Sequence, residues 1–317
     1  MVVLASVLPA RGTFAEVLDV GTNIGIALLF FLHGAKLSRE DILGGIGHWR
    51  LHIHILVSTF VLFPVVMLAL KPLQGAIIPP ELMVGLLFLA ALPSTVQSSI
   101  AFTSIARGNV AAAVAAASLS NVAGVFFTPI LVSLLINLQG EMNFLQAVLS
   151  ITLQILLPFV VGHLSRPWIG AWIGRRQRFL NNFDRGTIVA IVYAAFSVSV
   201  VDGMWKSLSW VKILATGLLC CVVLLVILWI VLKSAQWMGF NREDQIAIMF
   251  CGSKKSLASG LPMAKVLFPG SSALGATVLP LMIFHQIQLM VCAWLANRYA
   301  AEYRRLHGDD ADAPLHT

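Results

Sequence analysis

Between Val17 and Ala296 the chain is written almost entirely as apolar runs, each near the length that a helix rising 1.5 Å per residue needs to cross a bilayer. The runs are Val17–Ala35, Leu51–Leu70, Leu82–Ser104, Val110–Asn137, Phe144–Leu164, Thr187–Met204, Leu208–Leu232, Gln245–Leu267 and Leu274–Ala296. They predict an all-α polytopic membrane protein with nine full transmembrane helices. Hydrophobic residues make up 58% of the chain and Asp, Glu, Lys and Arg only 11%, against roughly 45–50% and about 25% in a soluble domain. A soluble enzyme, a disordered regulator and a disulfide-stapled secreted domain are excluded on that ground. All four cysteines lie inside apolar runs and read as small buried hydrophobes, not as a redox or zinc framework. Met1–Pro9 is apolar but too short to span, and it lacks the basic start of a signal peptide. It reads either as a stub against the outer face or as the remnant of a tenth helix.

The net charge of +7 is accounted for by topology. On one side of the nine runs fall Lys36, Arg39, Arg50, Arg107, Arg166, Arg175, Arg176, Arg178, Arg185, Lys233, Arg242, Arg298, Arg304 and Arg305. The other side holds Arg11, Lys71, Lys206 and Lys212. This bias predicts a cytoplasmic C-terminus in an inner or plasma membrane, and it removes the nucleic-acid reading of the basic surplus.

Two runs break the apolar text. The third contains Leu92-Pro93-Ser94-Thr95-Val96-Gln97-Ser98-Ser99, and the eighth contains Cys251-Gly252-Ser253-Lys254-Lys255-Ser256, followed by Gly260 and Pro262. A lysine at mid-membrane depth costs about 2.5–3.5 kcal/mol on insertion scales, so two in succession need a reason. Pro93, Gly252, Gly260 and Pro262 supply freedom to unwind. Freed backbone groups survive at that depth only inside protein or facing a watery cavity. A pair of interrupted spans at matching positions in two halves is a pointer to a transporter's binding site. The positions match when Met1–Pro9 is counted as a first helix, because the interrupted helix is then fourth of five in each half. Gln97, Ser98 and Ser99 also suit plain hydrogen bonding between helices. Lys265, a few residues from Pro269, reads as a snorkelling side chain.

These segments resemble the bile acid:sodium symporter superfamily, through Pro93 to Pro129 with Ala106-Arg107-Gly108-Asn109-Val110 and Thr128-Pro129. Phe250-Cys251, Lys255-Ser256-Leu257, Gly260-Leu261-Pro262 and Pro280-Leu281-Met282-Ile283-Phe284-His285 are similar to the sodium/bile acid cotransporter 7-like branch. The resemblance runs from about Gly21 to Ala296. It implies inverted five-helix repeats divided into a panel and a core where two broken helices cross, with alternating access around the crossing. Residues 13–143 are then the first repeat and 144–297 the second. Residues 1–12 become the truncated helix or external stub, and 298–317 a cytoplasmic polar tail.

Departures from the sodium-coupled members stand beside it. Their Ser-Asn sodium pair falls on Ser98 and Ser99, and their hydroxyls on the next helix fall on Ala113 and Ala117. Their Glu and Gln on the second broken helix fall on Phe250 and Lys254, so the acidic sodium ligand is missing. Composition agrees, since no Asp or Glu falls deep in any run, and sodium favours hard oxygen ligands with a negative charge among them. The expectation is that the ammonium of Lys254 or Lys255 replaces a bound cation. A lysine taken out of water can also exchange a proton during a cycle, or attract an anionic solute. His285 reads either as a structural hydrogen-bonder or as a proton carrier. His33 and His163 read as interfacial, and Ser120 and Asn121 either as lining the core behind the crossing or as joining two helices. The Arg166–Arg185 run, with Trp168 and Trp172, reads as a loop lying on anionic headgroups.

The expected function is secondary active transport of a small organic, anionic solute. The expected solute and ion site comprises Gln97, Ser98, Ser99, Ser253, Lys254, Lys255, Ser256 and His285. Expected partners are the solute and the lipid bilayer, with no nucleic acid and no cofactor, and with sodium or proton coupling left open. A non-transporting membrane regulator, for example of calcium handling, and a sodium-coupled symporter of bile-acid-like anions are the alternatives. An enzyme is not expected, because there is no paired carboxylate, zinc spacing, activated serine or phosphate loop.

Overall fold

The computed structural model describes residues 1–36, 48–136, 149, 152–203, 209–268 and 274–307. The named elements there are all helices. In chain order they are α1 (Val2–Val7), α2 (Gly12–Lys36), α3 (Trp49–Ala69), α4 (Pro80–Ala91), α5 (Gln97–Ile105) and α6 (Val110–Ile136). Then follow α7 (Leu157–Arg175), α8 (Gln177–Val201), α9 (Trp210–Trp237), α10 (Arg242–Gly252), α11 (Leu257–Leu267) and α12 (Leu274–His307).

Among the described residues six helices, namely α2, α3, α6, α8, α9 and α12, are long and apolar enough to cross a membrane. Leu214, Leu218, Leu225 and Trp229 stand exposed on α9, as they do on a helix whose solvent is lipid. The chain is an integral membrane protein with several apolar helices. Two more expected spans are each split in two, at residues 92–96 between α4 and α5 and at 253–256 between α10 and α11. The expected span Phe144–Leu164 begins outside the described residues, and a π-turn at Thr152–Leu156 leads into α7. The expected ends at Asn137, Met204 and Leu208 lie outside the described residues, as do Arg39, Lys206, Pro269 and the 143/144 boundary.

Two expectations change. The Arg166–Arg185 stretch is no loop: α7 continues through it to Arg175 and α8 starts at Gln177, with one turn at Arg176. Its Arg, Ile, Leu and Trp residues tolerate helix well, so polarity alone was a poor stop signal. The expected tail is likewise partly helical, because α12 runs on to His307.

The helices pack as two groups. One comprises α1, α2, α7 and α8, with α2 lying along α7 so closely that backbones touch. A Cβ on Gly34 would sit 1.9 Å from the Phe159 carbonyl oxygen, and one on Gly162 1.9 Å from that of Phe31, so only glycine permits the approach. In the other group, α3 to α6 and α9 to α12 enclose the two breaks, and α8 reaches across to α11 and α12. Contacts of Arg50 with the Met238 carbonyl and the Phe240 ring, of Arg242 with Glu302, and of Arg107 with Tyr303 gather several helix ends at one basic end of the molecule.

Candidate solute and ion site

The two breaks are bonded to each other. Ser256 donates its backbone N–H to the Pro93 carbonyl at 2.9 Å, and the Ser94 hydroxyl donates to the Cys251 carbonyl. Ser99 Oγ donates to the Phe250 carbonyl at 3.0 Å, and it meets Thr95 Oγ1 at 2.9 Å, which accepts from Ser98 Oγ at 2.8 Å. The C-terminal carbonyls of α10 are thereby capped by hydroxyls from the other break, which is what an interrupted helix needs where water is scarce. Ser256 also N-caps α11 by accepting from the Ser259 N–H at 3.1 Å.

Helix α6 braces both breaks. Asn121 Nδ2 donates to the Ser94 carbonyl at 2.9 Å while its Oδ1 accepts from Ser259 Oγ at 2.8 Å. Ser120 Oγ accepts from the Ser94 N–H at 3.1 Å, and Thr128 Oγ1 donates to the Ala91 carbonyl at 2.8 Å. Ser120 and Asn121 thus stand behind the crossing and join its two segments to α6. The contact is tight, since a Cβ on Gly124 would lie 2.7 Å from Pro93 Cβ.

The two lysines diverge because their segment is unwound. Lys255 is fully buried, and its ammonium donates to the carbonyls of Thr59, Ala90 and Leu92, each at 2.7 Å. Ala90 and Leu92 stand at the C-terminal end of α4, where the helix dipole favours a cation. Thr59 lies in a π-turn at Ser58–Leu62 that interrupts the regular ladder of α3. All three N–H donors are used, and the Phe63 ring lies 4.2 Å away. The lysine's own peptide is clamped by Gln288, which accepts from its N–H at 2.9 Å and donates to its carbonyl at 2.8 Å. Gln288 Nε2 also meets His285 Nδ1 at 2.9 Å. Lys254 is equally buried, yet its Nζ has no hydrogen-bond partner among the described residues. It sits over the rings of Phe102 and Phe250, at 4.4 and 5.5 Å.

Beside the crossing, towards α2 and α8, opens a cavity of about 410 Å³ that adjoins a second of about 290 Å³. Thr95, Gln97, Ser98, Asn121, Ser256, Ser259 and His285 line the first from the crossing side, and His33, Asn181, Asp184 and Arg185 from the facing helices. Lys36 joins the lining of the second. Lys36 Nζ lies 3.1 Å from Asp184 Oδ2 and His33 Nε2 3.7 Å from it. The N-termini of α5 and α11 both open here, which lends the cavity partial positive charge.

Of the eight expected site residues, Gln97, Ser98, Ser256 and His285 line the cavity. Ser99, Lys254 and Lys255 are buried and are absent from its lining, and Ser253 donates at 2.6 Å to the Met249 carbonyl of its own helix. His33 is a cavity residue and not merely interfacial. Asn181, Asp184, Arg185 and Gln288 stand outside the expected site set. One signal was available, because Asp184 is the single acid between Glu141 and Asp202, in a run dense with arginine. Lys265 does not snorkel: it is buried and bonds to Asp19 and Thr22 of α2. Gly260 and Pro262 lie inside α11 rather than in the unwound stretch. No cluster of three or more His, Cys, Asp or Glu able to hold a metal occurs among the described residues.

The model of the SBF-like CPA transporter family matches residues 1–301. An uncharacterized protein of Pseudomonas aeruginosa is 56% identical over 315 residues, covering 99% of this chain and 93% of its own. YfeH of Escherichia coli, whose name marks it as a candidate symporter, is 51% identical over 306 residues, 96% of this chain and 92% of its own. Sodium/bile acid cotransporter 7 of Rattus norvegicus is 28% identical over 285 residues, 87% and 84% respectively.

Proposed function

The chain belongs to the SBF-like CPA transporter family, hence is a membrane transporter and not an enzyme, and on that premise we propose that it is a secondary active transporter in which Lys255 occupies the place of a coupling cation. The reading rests on one observation: a buried ammonium held by three carbonyl oxygens, two at the C-terminal end of a broken helix and one in the π-turn of α3. A monovalent cation would seek the same oxygens in that position, and a tethered ammonium holds them without one. Sodium coupling through a ligand carboxylate is then unnecessary, in line with Phe250 and Lys254 at the positions where the sodium-coupled members carry Glu and Gln.

In this reading the helices form two inverted repeats, residues 13–143 and 144–297, with α1 in the place of the first helix. The group α1, α2, α7 and α8 is the panel, and the remaining helices are the core. The solute enters the cavity between them, which faces the cytoplasm because His33, Lys36 and Arg185 lie on the basic side of the chain. A small organic solute with an anionic group suits a lining in which two helix N-termini, Arg185 and Lys36 outweigh Asp184.

The test is a thermal-shift titration of the purified protein, comparing sodium with potassium at fixed ionic strength. A ligand present at 100 times its dissociation constant stabilises the folded state by about 2.7 kcal/mol. The expected result is equal stability in the two salts. A sodium-specific rise would show that the cation site is still open and would overturn the assignment of Lys255.

A further inference from the structure

Lys265 lies on α11, beyond the second break and away from the cavity. Only 8% exposed, it spends its ammonium on one turn of α2: the Asp19 carbonyl oxygen at 3.0 Å, Asp19 Oδ1 at 3.1 Å, and Thr22 Oγ1. Among the described residues this is the one ion pair that joins the two helix groups. Asp184 with Lys36 and His33 stays within α2 and α8, and Arg242 with Glu302 stays among the others.

Its position gives the pair a role. Asp19 and Lys36 stand seventeen residues apart on α2, which is about 25 Å along the helix axis. The Lys36 end of α2 borders the open cavity, and the Asp19 end is tied to α11. Helix α8 repeats the contrast, with Asn181 and Asp184 at the cavity and Ala194, Ala195 and Val198 beside Lys265 around a space of only about 140 Å³. The same two helices are therefore parted from the core at one end and fastened to it at the other.

We infer that Lys265 and the Asp19–Thr22 turn form an ionic latch that holds the transporter closed at the end opposite its solute cavity, and that opening this end requires the latch to part. The inference rests on the alternating-access reading above. Breaking the latch removes a contact made only in the observed state, so the balance moves towards the opposite opening.

Two cysteine reporters test it in lipid nanodiscs with a maleimide probe. Asn181→Cys reads the solute cavity, and Ala195→Cys, buried at 2%, reads the latched end. With the latch intact, Asn181→Cys labels readily and Ala195→Cys slowly. In Lys265→Met, labelling at Ala195→Cys rises about tenfold while that at Asn181→Cys falls, and Lys265→Arg, which keeps the charge and its donors, restores the original pattern. Asp19→Asn, at an exposed carboxylate, gives the same shift in a variant whose folding is not in question. Unchanged labelling at both sites in Asp19→Asn and Lys265→Met overturns the latch and leaves alternating access standing. A rise at Ala195→Cys with no fall at Asn181→Cys shows that one end opens without the other closing, which overturns the alternating-access reading and the latch with it.

Discussion

The two breaks meet the same difficulty and resolve it differently. Each leaves helix-terminal carbonyls without partners at a depth where water is not at hand. At the end of α10 the carbonyls of Phe250 and Cys251 are met by hydroxyls, Ser99 and Ser94, from the opposite break. At the end of α4 the carbonyls of Ala90 and Leu92 are met by one ammonium, which also takes Thr59 from a third helix. A hydroxyl donates once, so the neutral clasp joins its partners in pairs. An ammonium donates three times from one point, so the charged clasp fixes three backbones together and answers the dipole of α4. The charged break is where loss of one side chain undoes most.

Lys255→Met tests that asymmetry most severely. It keeps the volume but leaves three buried carbonyls unmet, each costing about 1–3 kcal/mol. A stability loss of several kcal/mol is expected in thermal unfolding of the purified protein. Lys255→Arg is not expected to rescue it, because a planar guanidinium cannot direct three donors from one point. A variant as stable as the parent would mean that the ammonium is not what closes the first break.

The neutral clasp has a smaller effect. Ser99→Ala removes one donor from a buried carbonyl, and the expected loss is about 1–3 kcal/mol by the same measurement. Gly124→Ala probes the brace behind it, where the new methyl group meets Pro93 well inside contact distance. Forcing α6 away from the break is expected to cost about 1–3 kcal/mol. A loss in Ser99→Ala as large as that in Lys255→Met would erase the difference between the breaks.

The location of both breaks was legible in sequence because polar words in apolar text have few explanations. Pro93 and the Lys254-Lys255 pair lie within the unwound stretches themselves. What the lysines touch was not legible. The acceptors of Lys255 are backbone oxygens, which carry no residue signature, and one of them depends on a π-turn in α3 that Ser58–Leu62 does not announce. The facing wall of the cavity was hidden for another reason. Asn181, Asp184 and Arg185 sit in a polar run that reads as a loop, and only its helical continuation turns them inward. Lys265 reads as snorkelling because its partner, Asp19, lies 246 residues away in sequence.

Lys254 gives the finest test, since it differs from Lys255 by one position and shares its burial. Among the described residues its Nζ has no hydrogen-bond partner, and it sits over two aromatic faces. A cation over a ring gains about 0.5–2 kcal/mol, which is less than desolvation of an ammonium takes away. Replacing a buried charged group by an apolar one of like volume is often neutral or stabilising. Lys254→Met is therefore expected to leave thermal stability within about 1 kcal/mol of the parent or to raise it, while Lys255→Met lowers it severely. The same substitution at neighbouring positions then separates a lysine that closes a helix end from one that closes nothing, and equal losses in the two variants would show that the pair acts as a single cationic unit.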